Sequence, residues 1–237
     1  MDKDSIQSFH ADGFLTWQSF LTRTHLDSLR TNVDNILLSL HPNCDPEWIQ
    51  HIHQLPEGKW LLDLASSLKP IASSLLDDPS PTLYSSQIAV RNPGTNETTP
   101  WHQDGPGAGV ITFWITLDRV DEKNGGLQIV PRGHLQGRLQ LRKLESETEL
   151  PLATKMASHN VFECCVKARD IFKYRLRAGG AGVHHDSLPH CAGPNTTCRP
   201  RRVIILRYVH HEKQIKSGKF LHHMHGVYVT RKYVELK

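Results

Sequence analysis

Four His-x-Asp triplets stand in the sequence: His10-Ala-Asp12, His25-Leu-Asp27, His102-Gln-Asp104 and His184-His-Asp186. An imidazole and a carboxylate two residues apart can share one divalent ion where the chain is extended, because on a strand residues i and i+2 face the same side. With 16 histidines in the chain, such triplets arise by composition alone, and context must choose among them. His25 and Asp27 fall in a helical repeat, where residues two apart point roughly 200° away from each other. His10 and Asp12 lie in a lead-in segment before Gly13 with no later partner. His102 and Asp104 open a β-rich region and form the candidate pair. A third ligand is needed, and His190, within Leu188-Pro-His-Cys-Ala-Gly-Pro-Asn195, is the distal candidate, with His184 and His185 as competitors. Two neutral imidazoles and one carboxylate, with coordination positions left open, suit non-haem Fe(II) together with a chelating co-substrate and dioxygen. The Gly, Pro and Asn after His190 predict a turn into a strand beginning near Arg201. A guanidinium there can clamp a dicarboxylate through two parallel hydrogen bonds, with Arg202 as the rival for that role.

These side chains need a scaffold, and the apolar pattern supplies its outline. Leu26, Leu29, Val33, Ile36, Leu37 and Leu40 repeat at helical spacing and predict a helix over 24–40, capped by a Thr. Leu61, Leu64, Leu68, Ile71 and Leu75 predict a second over 60–76, which Pro70 should kink or divide. After Pro79-Ser80-Pro81 the pattern changes to short β-branched and aromatic runs at 83–91, 110–117, 126–130, 160–166 and 203–209. Helices first and strands afterwards predict an α+β, mainly β chain, with N-terminal helices covering one face of a sandwich or barrel. The expected organisation is one domain over 1–237, with a helical part to about 78, a β core over 82–209 and an extension over 210–237. The charged stretch 138–159 reads as an excursion from that core.

The formal charge of +4 conceals an uneven division, since residues 1–118 carry 6 basic and 14 acidic side chains and residues 119–237 carry 22 and 10. The basic half would permit nucleic-acid binding, yet no helix-turn-helix, zinc module or aromatic-stacking motif accompanies it. Five cysteines, with Cys164 and Cys165 adjacent, do not form a disulfide framework and predict reduced thiols in the cytoplasm. No run approaches the roughly 20 apolar residues of a membrane span, so neither membrane nor nucleic acid is expected as a partner. His222, His223 and His225 lack acidic or thiol partners at ligand spacing and read as a solvated segment. Gly105-Pro-Gly-Ala-Gly109 lacks the Lys-Ser/Thr of a phosphate loop and reads as a flexible approach to the metal.

Several segments recur in one order: Phe9-His-Ala-Asp-Gly-Phe-Leu, Trp101-His-Gln-Asp-Gly, Thr112-Phe-Trp-Ile-Thr-Leu and Asn124-Gly-Gly-Leu-Gln-Ile-Val-Pro-Arg-Gly-His134, then His190 and an arginine eleven residues later. Taken together, over about residues 8–209, this series resembles the phytanoyl-CoA dioxygenase family. The resemblance implies a double-stranded β-helix, a jelly-roll variant, that holds Fe(II) and uses 2-oxoglutarate and O2. It implies His102, Asp104 and His190 as metal ligands and Arg201 as the partner of the distal carboxylate of 2-oxoglutarate. Trp114 matches a position lining the co-substrate pocket, and Gln87 a polar contact there. The implied reaction is hydroxylation of an unactivated C–H in a small organic substrate, releasing succinate and CO2. Asp104 fills the position a halide would need, so hydroxylation or desaturation is favoured over halogenation. The chain departs from the family pattern before the distal ligand, where Arg177-Ala-Gly-Gly-Ala-Gly-Val-His-His-Asp-Ser-Leu-Pro-His190 replaces an apolar strand introduced by Gly-Asp. Two other readings use the same residues: a metal-dependent hydrolase with a bound water, which gives Arg201 no role, and a catalytically silent module that binds a small acid. The basic half predicts a positive rim and an anionic substrate.

Overall fold

The computed structural model describes residues 1–39, 49–143, 162–167 and 170–216. Among these residues three α-helices, separated by short strands, occupy the N-terminal part: α1, Lys3–Asp12; α2, Arg23–Ser39; and α3, Trp60–Leu76. Helix α1 occupies the segment read above only as a lead-in. Its start is fixed by the Asp2 side chain, which accepts from the Ser5 N–H at 2.8 Å, and its end by Gly13 at φ 86°. The threonine that caps α2 is Thr22, whose Oγ1 accepts from the His25 N–H at 3.3 Å. Pro70 does not divide α3. It sits on the exposed side, away from the buried face of Leu61, Ala65, Leu68, Ala72 and Leu75, so the hydrogen bond it removes is lost where water can replace it.

Among the described residues the chain forms twelve strands, β1 Phe14–Trp17, β2 Ile49–Gln50, β3 Thr82–Arg91, β4 Thr99–His102, β5 Val110–Thr116, β6 Leu127–Ile129, β7 Leu141–Lys143, β8 Phe162–Cys164, β9 Phe172–Lys173, β10 Ala181–His185, β11 His190–Ala192 and β12 Arg201–Val209, with a short helix α4, His211–Lys216, at the end of the described chain. They form a six-stranded sheet in the order β1-β10-β5-β12-β3-β2, a four-stranded sheet β4-β11-β6-β9, and the pair β7-β8. All pairings are antiparallel. Two facing antiparallel sheets with helices over one of them make the mainly β jelly roll that the sequence predicts. Of the excursion at 138–159, only 138–143 is described. Leu40, residues 160–161 and the histidines at 222, 223 and 225 lie outside the described residues. Among the described residues no helix is long and apolar enough to cross a membrane.

The large sheet is buried on both faces, and its side chains alternate accordingly. Outward, Ile88 and Val90 of β3, Ile111, Phe113 and Ile115 of β5, Ala181 and Val183 of β10, and Ile204, Leu206 and Tyr208 of β12 pack in one core with the apolar faces of the helices. Inward, Ala89, Trp114, Val203 and Ile205 meet Leu127, Ile129 and Ala192 of the small sheet. Each large apolar side chain so buried stabilises by roughly 1.5–3 kcal/mol. Tyr208 adds a tie between layers, its hydroxyl donating to the Ala65 carbonyl of α3.

Strand β10 escapes sequence reading because Ala-Gly-Val-His-His carries little β-propensity; its place is secured by pairing with β1 on one side and β5 on the other. Gly182 is required there, since a Cβ would lie 2.4 Å from the ring of the fully buried Tyr174. Gly182→Ala is therefore expected to cost about 1–3 kcal/mol through overpacking, read as a lower urea midpoint at unchanged m-value.

Candidate metal centre

His102 is the last residue of β4 and His190 the first of β11, and the two stand directly opposite in the ladder. Cross-strand neighbours lie close enough for their side chains to share a ligand, and here the ring centroids are 4.0 Å apart. Each ring is oriented from behind by a backbone carbonyl, His102 Nδ1 on Pro100 O and His190 Nδ1 on Leu188 O, both at 2.9 Å. Nδ1 must carry the proton to donate, which leaves the Nε2 lone pair of each ring free for a metal.

Asp104 lies just past the end of β4, not on the strand as the triplet rule assumes. What aims its carboxylate is the opposite sheet, where Thr112 Oγ1 of β5 donates to Oδ2 at 2.8 Å. The other oxygen, Oδ1, faces His102 Nε2 at 3.8 Å and His190 Nε2 at 4.0 Å. One oxygen is thus held by the protein and one is presented to the two imidazoles. Gln103, between the ligands, fastens the segment by donating to Gly137 O and Ser187 O at 2.8 and 2.6 Å and accepting from the Leu139 N–H at 3.0 Å.

The electrostatics keep the set ready for a cation. Burial would push the Asp104 carboxyl up, but the Arg207 guanidinium and the His184 and His190 imidazoles hold it well below the usual carboxylate range. Burial pushes His190 well below the ordinary histidine value, helped by His102 and His184, and lowers His102 against the opposing pull of Asp104. The result is an ionised carboxylate between two neutral rings.

All six residues singled out in the sequence line one cavity: His102, Asp104, His190, Trp114, Gln87 and Arg201. Arg201 is buried, with its guanidinium carbon 5.5 Å from the centre of the Trp114 ring. Arg202, its rival, points to the other side of β12, where it pairs with Asp118 at 2.8 Å and Asp34 at 2.7 Å. His185 also turns away and pairs with Asp186 at 2.9 Å. His184 stays on the cavity side, Nε2 3.4 Å from Asp104 Oδ2, on the sheet facing His102 and His190. Thr112 and Arg207, the cavity residues that reach the Asp104 carboxylate, were given no role in the sequence reading. The period-two row of Arg201, Val203, Ile205 and Arg207 would have found the second.

The phytanoyl-CoA dioxygenase (PhyH) family model matches residues 9–203. The chain belongs to the phytanoyl-CoA dioxygenase family. It is, with that family, an Fe(II)- and 2-oxoglutarate-dependent dioxygenase, a hydroxylase of small molecules. A methylphosphonate hydroxylase of Gimesia maris is 25% identical over 225 residues, covering 86% of this chain and 78% of that protein. Among solved structures, EvdO2 from Micromonospora carbonacea var. aurantiaca is 22% identical with a TM-score of 0.70, covering 88% of this chain and 90% of that one. EctD from S. alaskensis, solved with 2-oxoglutarate and 5-hydroxyectoine, is 16% identical with a TM-score of 0.68, covering 90% and 77%. These two likenesses establish the shared fold.

The donor set fits the iron of the family. Two imidazole nitrogens and one carboxylate oxygen lie within 4.8 Å of one another, the composition of a facial triad that leaves positions open. A second cluster, Asp78 with His210 and His211, is built differently. The buried Asp78 carboxylate already accepts from the Ser80 and His211 N–H groups at 2.9 and 2.8 Å and pairs with His211 Nδ1 at 2.6 Å, so it anchors the start of α4. For the main centre, His190→Ala is expected to weaken Fe(II) binding by more than roughly tenfold, while His185→Ala keeps it within about twofold, by calorimetry under anaerobic conditions.

Proposed function

We propose that this chain is a single catalytic unit in which His102, Asp104 and His190 hold Fe(II), Arg201 holds the distal carboxylate of 2-oxoglutarate, and a small anionic substrate is hydroxylated. The observation that carries this reading is the convergence of the facial His/Asp/His set and a buried arginine on one cavity between the sheets. The iron, when bound, supplies with 2-oxoglutarate and O2 the oxidising power that converts C–H to C–OH, with succinate and CO2 as the other products.

The chain's own residues do the positioning. Arg201 offers a planar fork that matches a carboxylate through two N–H donors. The face of Trp114 steadies that guanidinium and walls the pocket. Gln87 lines the same wall on β3 and accepts from Arg207 Nη1 at 3.3 Å through Oε1, which orients its amide. Leu127, Ala192 and Ile205 make the apolar lining that limits water around the reacting centre. Thr112 keeps the Asp104 carboxylate turned so that a single oxygen faces the ion.

An acidic substrate class is supported by the arginines of this cavity and by the phosphonate named in the Gimesia maris relative. The cytoplasm is the proposed compartment, supported by free thiols at Cys164, Cys165, Cys191 and Cys198, with burial pushing the Cys191 thiol up to about 12. Neither nucleic acid nor membrane is proposed as a partner. Several cations of the basic half are engaged in ion pairs, as Arg142 with Glu163, Arg175 with Glu122 and Arg202 with Asp34 and Asp118.

Anaerobic addition of Fe(II) and 2-oxoglutarate is expected to produce the weak visible charge-transfer band of the chelate, and His102→Ala to abolish it. Absence of the band in the wild type, or its persistence in the variant, would overturn the assignment. Succinate formation then separates an enzyme from a silent binding module. Arg201→Gln is expected to raise the KM for 2-oxoglutarate by more than about tenfold, whereas Arg202→Ala leaves it within about twofold.

A further inference from the structure

The cavity contains a second guanidinium that 2-oxoglutarate does not account for. Arg207 lies on the inward face of β12, six residues beyond Arg201, which is about 20 Å of strand at an ordinary rise per residue. Its side chain is 13% exposed, its Nη2 stands 3.6 Å from Asp104 Oδ1, and its Nη1 reaches Gln87. The ladder register sets Arg207 beside Thr112, and Thr112 beside His184, so these three occupy one row across β12, β5 and β10 on the floor of the cavity. His184 is 1% exposed; its Nε2 stands 3.4 Å from Asp104 Oδ2, while its Nδ1 has no hydrogen-bond partner among the described residues. A buried ring nitrogen without a partner, on an imidazole that faces a cavity, is completed by a ligand.

Charge counting leads to the same row. The cavity is lined by one carboxylate, Asp104, and two guanidinium groups, Arg201 and Arg207. A ferrous ion adds two positive charges and 2-oxoglutarate removes two, its distal carboxylate answered by Arg201 and its keto-acid end by the ion. Asp104 is the one carboxylate within ion-pair distance of Arg207 among the described residues, and that charge is shared with the metal once the metal binds. With the metal bound, the Arg207 guanidinium, 13% exposed, has no carboxylate to itself among the described residues, which is strongly unfavourable unless an anion meets it.

We propose that Arg207 and His184 form the acid-recognition end of the substrate site, taking a small substrate through a carboxylate or phosphonate group and so presenting its neighbouring C–H to the iron. The inference rests on the proposed iron, 2-oxoglutarate and anionic-substrate assignment and adds to it the residues that bind the acid group. Arg207 supplies charge and a two-pronged donor, and His184 supplies one ring N–H. Both sit on a rigid, doubly buried sheet, so the acid group is held at a fixed distance from Asp104.

The test uses the full chain loaded anaerobically with Fe(II) and 2-oxoglutarate, titrated by calorimetry with methylphosphonate, butyrate and uncharged butyramide. The wild type is expected to bind at least one of the two oxyanions and not the amide; a preference for either oxyanion supports the inference and names the acid. Arg207→Gln should weaken oxyanion binding by at least about tenfold more than it weakens 2-oxoglutarate binding, and Arg207→Lys should recover part of the loss. His184→Phe, which retains ring volume, should also weaken oxyanion binding. The inference is overturned if neither oxyanion binds, if butyramide binds equally well, or if Arg207→Gln binds the oxyanion undiminished. It is overturned as well if 2-oxoglutarate affinity falls in step, which would make Arg207 a partner of the co-substrate or of Asp104 alone. Failure of the wild type to form the visible 2-oxoglutarate band at all would instead remove the iron assignment beneath it.

Discussion

Asp104 belongs to the segment that leaves the small sheet, yet its carboxylate is fixed from the large one. The hydrogen bond from Thr112 is a short polar link across the gap between two sheets that otherwise meet through apolar side chains. Facing sheets pack roughly 10 Å apart, too far for ligands on one of them to enclose an ion with only their own strand geometry. By drawing one carboxylate oxygen to β5, the fold turns the other towards the two histidines, and the positions opposite the ligands open onto a wall of the second sheet. That link sets how the pocket residues of β3, β5, β10 and β12 stand to the cluster of His102, Asp104 and His190.

The same wall explains why charge and apolar burial coexist here. Along each central strand the outward residues supply the helix-covered core, so the inward positions are released from the need to stabilise the fold and can carry Gln87, Thr112, His184, Arg201 and Arg207. Stability comes largely from one face and specificity from the other. The acidic and basic halves of the chain meet on both faces of β12: inward Asp104 faces Arg207, and outward Asp34 and Asp118 hold Arg202. The uneven charge division is therefore in part a division between partners of ion pairs that folding brings together.

Much of this was legible in the residues themselves. Val203-Ile-Ile-Leu announces a strand buried on both faces, and the two long helices follow from their leucine spacing. The cluster of His102, Asp104 and His190 and the arginine beside it were legible because a short triplet, a distal histidine and an arginine stand in one order along the chain. What remained hidden depends on register. Whether Arg201 or Arg202 faces the cavity is decided by which residue pairs with Arg91, and a slip of one residue would exchange their roles. Helix α1 was hidden because its short polar sequence is stabilised by a cap and by burial of Phe9 more than by an apolar stripe. β10 was hidden because glycine and histidine there answer to Tyr174 and to the cavity, not to strand propensity.

The pairing of His102 with His190 joins positions 88 residues apart in the sequence through a small sheet whose strands are only three or four residues long, β9 shorter still. Closing so long a loop carries an entropic cost, and the ladder between β4 and β11 offers few backbone hydrogen bonds against it. An ion ligated from both strands is a reversible crosslink, present in the native ensemble and absent from the unfolded one. By linkage, iron occupancy then becomes a term in the protein's folding equilibrium, growing with the logarithm of free metal. An iron centre held as proposed would thereby also be a clasp on the less extensive of the two sheets, and the supply of ferrous ion would bear on the lifetime of the polypeptide as well as on its turnover.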